Sequence, residues 1–211
     1  MKTDELIAAL ATDAGPAPRA LVARRLAPAT VFGVLASVAL ALLIFGPVDE
    51  PALPAAALWT KLVYAAALGA AAAWLTGRLS RPAARWTGAA LGVVGVVIAM
   101  ALAGLLSLLA TAPGERMNQA LGDSWASCPW AVFLLSLPAL SATLWAVRGL
   151  APTRPRAAGL AAGLLAGAAG AAGYALACVE PSTLFIAIWY TLGIALCGAL
   201  GAALGPRVLR W

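Results

Sequence analysis

Six apolar stretches punctuate this chain, at Pro28 to Gly46, Ala55 to Thr76, Gly88 to Leu109, Trp130 to Val147, Ala157 to Ala177 and Leu184 to Leu204. Each is close to the ~20 residues that a helix needs to cross a hydrocarbon layer about 30 Å thick. Hydrocarbon offers backbone N–H and C=O groups no partner, so only helices or a closed barrel can span it. The stretches lack the alternation of barrel strands, which leaves helices. With 63% of residues hydrophobic and 10% charged, composition excludes an ordinary soluble domain. Six spans with short connections use nearly all of the 211 residues. The expected fold is therefore all-α: a polytopic six-transmembrane-helix bundle over 28–206, preceded by a segment 1–27 and followed by a tail 207–211.

Basic residues orient this bundle. Lys2, Arg19, Arg24 and Arg25 precede the first span, Arg78, Arg81 and Arg85 lie between spans two and three, Arg148, Arg154 and Arg156 between spans four and five, and Arg207 and Arg210 after span six. All fall on one side of an even-numbered bundle, against Lys61 and Arg116 on the other, so that side is expected in the cytoplasm with both termini. The opposite loops carry Asp49, Glu50, Glu115, Asp123 and Glu180. A net charge of +6 follows from this topology, and the basic residues form no continuous patch of the kind that binds nucleic acid. The first 26 residues hold Asp4, Glu5, Asp13, Arg19, Arg24 and Arg25 and no apolar h-region, so a cleaved signal peptide is not expected.

Within the spans, small residues recur every fourth position: Gly159, Gly163 and Gly167 in span five, Gly193, Cys197, Gly201 and Gly205 in span six. That spacing places them on one helix face and lets backbones approach closely, which is how helices associate in lipid. Cys197 belongs to this stripe and reads as a packing residue. Transporters carry ionisable groups inside their spans; the nearest case here is Lys61, about two turns into span two, which reads as an anchor snorkelling to the interface. Trp59, Trp125, Trp130 and Trp189 read as interfacial belts. The turns Arg-Pro-Ala-Ala-Arg at 81–85 and Arg-Pro-Arg-Ala-Ala at 154–158 are alike, but basic turns recur by topology alone.

Two regions are left for function. Cys128 stands just before span four and Cys178 at the end of span five, both on the outer side. In an oxidising periplasm two thiols at one depth can form a disulfide, or bind a soft metal ion together with Glu180; the other reading is two unrelated small residues in outer loops. No histidine and three cysteines are too little for a zinc cluster, and no Cys-x-x-Cys suggests a thiol oxidoreductase. At the start of the chain Thr3 can cap a helix with Asp4 and Glu5 in its first turn and Leu6, Ile7 and Leu10 on one face, broken by Gly15, Pro16 and Pro18. Alone in water such a helix is marginal. It is either a segment that orders on a membrane or partner, or a frayed tail with the basic anchor Arg19 to Arg25.

The chain resembles the NrsF-type membrane anti-sigma factors over essentially its whole length. The resemblance is carried by the opening Met-Lys-Thr-Asp-Glu-Leu-Ile-Ala-Ala-Leu-Ala-Thr-Asp, Trp125 with Cys128, Ser136-Leu137-Pro138, Arg148 to Ala151, Gly173 to Glu180, Trp189-Tyr190 and the closing Leu209-Arg210-Trp211. It implies a regulator of the bacterial inner membrane, not an enzyme and with no cofactor. Its partners would be the lipid bilayer and an extracytoplasmic-function sigma factor, without direct nucleic-acid binding. The sigma factor would be held by the N-terminal segment through Asp4, Leu6, Ile7, Leu10 and Asp13, with Cys128 and Cys178 needed for signalling. The rival from another class is a small transporter or metal-efflux protein with Cys128, Cys178 and Glu180 at its entrance.

Overall fold

The computed structural model describes residues 3–13, 20–47, 54–81, 84–150 and 152–210. Its elements are helical throughout: α1 (Thr3–Asp13), α2 (Leu21–Phe45), α3 (Ala55–Leu79), α4 (Thr87–Ala110), α5 (Arg116–Leu121), α6 (Cys128–Leu135), α7 (Leu137–Arg148), α8 (Pro155–Ala175) and α9 (Thr183–Val208). A 3₁₀ turn at Pro113–Glu115 leads into α5, and Ile186–Tyr190 of α9 is wound as a π-helix. Five helices, α2, α3, α4, α8 and α9, are each long and apolar enough to cross a membrane, and α6 with α7 passes the same test as one bent unit.

The span expected from Trp130 to Val147 is present as a bent pair of helices. The chain bends by 42° between α6 and α7, where Ser136-Leu137-Pro138 interrupts the ladder. Pro138 has no N–H to donate and its ring clashes with the preceding turn. The carbonyl of Leu135, left by the break, accepts the hydroxyl of Ser37 on α2 at 2.8 Å, and Ser136 turns its own hydroxyl back to Val132 at 2.6 Å. Irregular backbone at membrane depth persists only when neighbouring helices satisfy it in this way. The first long helix begins earlier than expected: α2 starts at Leu21, so Arg24 and Arg25 lie in its first turns, ahead of Pro28.

The centre of the bundle is α8, packed against α2, α3, α6, α7 and α9. A helix built almost wholly of Ala and Gly offers little side-chain volume, so its neighbours approach to backbone contact. A Cβ on Gly159 would strike the Gly201 carbonyl oxygen, and one on Gly163 the carbonyl of Cys197. Likewise, one on Gly205 would strike that of Pro155. The small-residue stripes of spans five and six thus face each other, with one exception. Gly193 leaves that seam and lies under α6, where a Cβ would come within 2.7 Å of Val132 and 2.9 Å of the Pro129 carbonyl. Toward the other end of α8, Gly170 sits against Ser136 and Gly173 against Ser37.

The helices alternate in direction, which sorts the ends. Arg78, Arg81, Arg85 and Arg154 gather at one end, the arginine end, where α3 gives way to α4 and α8 begins. Cys128, Cys178 and the 111–127 connection lie at the other, the cysteine end.

Candidate functional site

At the cysteine end the chain leaves α8 through a turn in which the Cys178 N–H bonds the Tyr174 carbonyl at 3.0 Å. Cys128 opens α6, its N–H on the Ser124 carbonyl at 2.8 Å. Both thiols are free and buried, at 0% and 2% exposure. The two cysteines that the sequence placed at one level both belong to the one buried core.

Lys61 corrects its expected role as a snorkelling anchor. It is wholly buried, and its ammonium donates to the Cys178 carbonyl at 2.5 Å. A buried cation is costly without partners, and this contact ties α3 to the turn carrying Cys178. Tyr190, from the π-segment of α9, is also wholly buried, with its hydroxyl set against the Cys178 side chain. Its ring lies 5.9 Å from that of Tyr174, which meets Phe45 at 5.6 Å. The extra residue of a π-turn rotates the side chains that follow it, so the local winding of 186–190 helps set where Tyr190 points.

Glu180 holds the 122–124 turn beside these residues. Its Oε1 accepts the N–H groups of Asp123 and Ser124, at 2.7 and 3.1 Å, and the Ser124 hydroxyl at 3.1 Å. Gly122 makes room for the carboxylate: its φ is +57°, and a Cβ there would stand 2.6 Å from Glu180 Oε2. Trp189 donates its indole N–H to the Ala120 carbonyl at 2.8 Å, and its ring lies 5.6 Å from that of Trp125, tilted by 48°. Ser182 donates to the Gln119 carbonyl at 2.8 Å. Trp189 is thus tied into the 120–125 segment, whereas Trp59, Trp125 and Trp130, 65%, 46% and 58% exposed, keep the surface positions expected of a belt. Among the described residues no three His, Cys, Asp or Glu side chains are arranged to hold a metal ion.

Of the N-terminal candidates, Asp4 and Ile7 are exposed on α1, Ile7 at 59%. The side chains of Leu6, Leu10 and Asp13 lie outside the described residues, as do Asp49, Glu50 and Trp211. Lys61, Tyr174 and Tyr190 were missed as members of the cysteine site. Tyr174 and Tyr190 sat inside stretches that carry the family resemblance, which was the available signal for them; Lys61 had none beyond being a charge within a span.

A family described as NrsF, negative regulator of sigma F, matches residues 10–211. This chain belongs to the NrsF family. It is 40% identical over 215 residues to a probable anti-sigma-F factor NrsF of Azospira oryzae, and 39% identical over 219 residues to the anti-sigma-F factor NrsF of Caulobacter vibrioides; both matches cover 100% of each chain. No solved structure matches. Membership in a family of negative regulators, with these apolar helices, makes the chain a multi-pass inner-membrane protein that regulates and does not catalyse.

Proposed function

We propose that this chain is an anti-sigma factor that sequesters an extracytoplasmic-function sigma factor through residues 1–27, held in the cytoplasm at the membrane surface. The arginine end is cytoplasmic, with both termini and the tail 207–211, and the cysteine end is periplasmic. Residues 28–206 carry the signal between them. The names of the two full-length relatives support sequestration. The skew of basic residues supports the orientation. In the N-terminal segment Leu6, Ile7 and Leu10 supply an apolar face for a groove on the sigma factor, flanked by Asp4 and Asp13.

One observation supports the signalling half: two free, buried thiols, 50 residues apart in the chain, belong to one buried core beside the turn that Glu180 holds. A two-electron oxidant would take two electrons and two protons from Cys128 and Cys178 and leave a disulfide; a thiol-reactive metal would bridge the two sulfurs instead. Either product draws together the start of α6 and the end of α8, to which α3 is tied through Lys61. Release follows only to the extent that the modified state binds the sigma factor more weakly.

Co-purification in mild detergent tests the reading. The tagged protein should retain a sigma factor, and L6D/I7D/L10D should lose it while remaining in the membrane, because charge defeats an apolar groove. Normal repression by the triple variant would refute this contact surface. Reporters fused after Arg81 and Pro155 should read cytoplasmic, and those after Pro51 and Glu115 periplasmic; a periplasmic reading after Arg81 would overturn the orientation.

A further inference from the structure

At the arginine end, the last turn of α3, the connection leading into α4 at Thr87 and the residues just before α8 border a solvent-open cleft of about 370 Å³. Arg78, Arg81, Arg85 and Arg154 line it, over a floor that includes Leu79 and Trp86. The Arg154 guanidinium lies 5.5 Å from the Trp86 ring centroid, a cation–π contact that holds it at the cavity. Among the described residues that line the space none is acidic. Four guanidinium groups around one volume repel each other, and an anion entering it converts that repulsion into attraction.

The geometry narrows the anion. Guanidinium groups present planar forks that pair two donors with two oxygens of a phosphate. The cavity also adjoins the N-terminal ends of α4 and α8, which begin at Thr87 and Pro155, and the positive ends of these helix dipoles add to the field. Its depth is that of the bilayer headgroups, since one apolar span ends at Leu79 and the next begins at Thr87. At that level the abundant anion is the phosphodiester of an acidic phospholipid, and basic pockets between transmembrane helices suit such headgroups.

We infer that this cavity binds the phosphate group of an anionic phospholipid from the leaflet at the arginine end. Free phosphate shares the recognised chemistry, so the test separates the two sources.

The full-length protein in mild detergent would be titrated with phosphatidylglycerol, with phosphatidylcholine and with inorganic phosphate, following the thermal midpoint, and bound lipid would be counted by native mass spectrometry. Phosphatidylglycerol should raise the midpoint saturably, as a ligand of the folded state does, and phosphatidylcholine should not. R81Q/R85Q should weaken the apparent affinity by roughly tenfold or more and lose the retained lipid. R207Q/R210Q, which removes the same charge near the same end but outside the cavity, should not. R81K/R85K, keeping charge without the fork, should fall between, which guards against a misfolded Gln variant. Equal shifts with both lipids, or an unchanged affinity in R81Q/R85Q, would overturn the site. Inorganic phosphate that reproduces the shift and blocks the lipid's would overturn the lipid as source.

Discussion

The two halves of the contact between α8 and α9 are built on opposite principles. From Pro155 and Gly205 to Gly167 and Ile194 the helices touch backbone to backbone, and almost any added atom meets a carbonyl or a Cα. Beyond that seam, toward the cysteine end, Tyr174 of α8, Tyr190 of α9 and Cys178 of the turn after α8 lie buried with Lys61 and Cys128. The first half has one way to pack, because backbone has no rotamers. The second half holds groups that can change bonding or oxidation state, including two thiols and a phenol set against one of them. A signal is more easily written into the second and mechanically carried by the first.

The comparison breaks most visibly if the seam tolerates bulk. Gly159→Leu or Gly201→Leu should destabilise the protein by at least about 3 kcal/mol, the upper part of the overpacking range, and abolish accumulation of folded protein in membranes. Gly95→Leu, where a Cβ would have nothing within 4 Å, should melt within about 0.5 kcal/mol of wild type. Size-exclusion recovery and thermal melts in detergent would decide. Equal tolerance at all three positions would show that the close seam is not needed.

The cysteine end should respond in signalling more than in stability. Cys128→Ser and Cys178→Ser should each remove most of the induction of a sigma-dependent reporter by a thiol-reactive metal or oxidant. The double variant should be no worse than either single, since losing one sulfur already destroys the pair. Cys197→Ser, in the seam, should leave induction nearly intact. Unchanged induction in both singles would remove sensing from this cluster.

Lys61→Met sharpens the contrast further. It strands the Cys178 carbonyl, at a cost of about 1–3 kcal/mol, while relieving a buried charge. The variant should therefore accumulate, melt modestly lower and show altered induction; failure to accumulate would place Lys61 among the structural determinants. The smallest effect is expected for Glu180→Gln, which keeps the shape and weakens charge-assisted bonds to Asp123 and Ser124. About 1 kcal/mol should be lost, with amide exchange rising over residues 120–127 and not along α8. Faster exchange along α8 would mean that this segment and the seam are one cooperative unit.

Much of the architecture was readable before any coordinates. The apolar stretches lie within the long helices to a few residues at most ends, the small-residue stripes pack where their spacing put them, and Ser136-Leu137-Pro138 stood out as a motif. The break it causes was not anticipated, because hydropathy averages across a proline without registering the lost hydrogen bond. Gly193 left its stripe for α6, beyond a π-helical segment that its spacing could not reveal. Trp189 reads as a belt residue because its sequence position is interfacial; the carbonyl that fixes it, that of Ala120, lies 69 residues away in the chain.

What the sequence by itself determined is the set of properties that belong to one helix at a time. These are length against the thickness of lipid, the obligation to satisfy the backbone internally, the distribution of arginines between loops and the face on which small residues fall. Each follows from local spacing and solvent, so no partner need be known. Only the tertiary structure decided that Lys61 reaches a carbonyl 117 residues away, that Ser37 caps one 98 residues away, and that Cys128, Cys178 and Tyr190 share one cluster. Those contacts depend on how each helix is rotated and which helices are neighbours, and in lipid that choice is made by backbone packing across the whole bundle. Hydropathy is the same on every side of an apolar helix and cannot tell one neighbour from another.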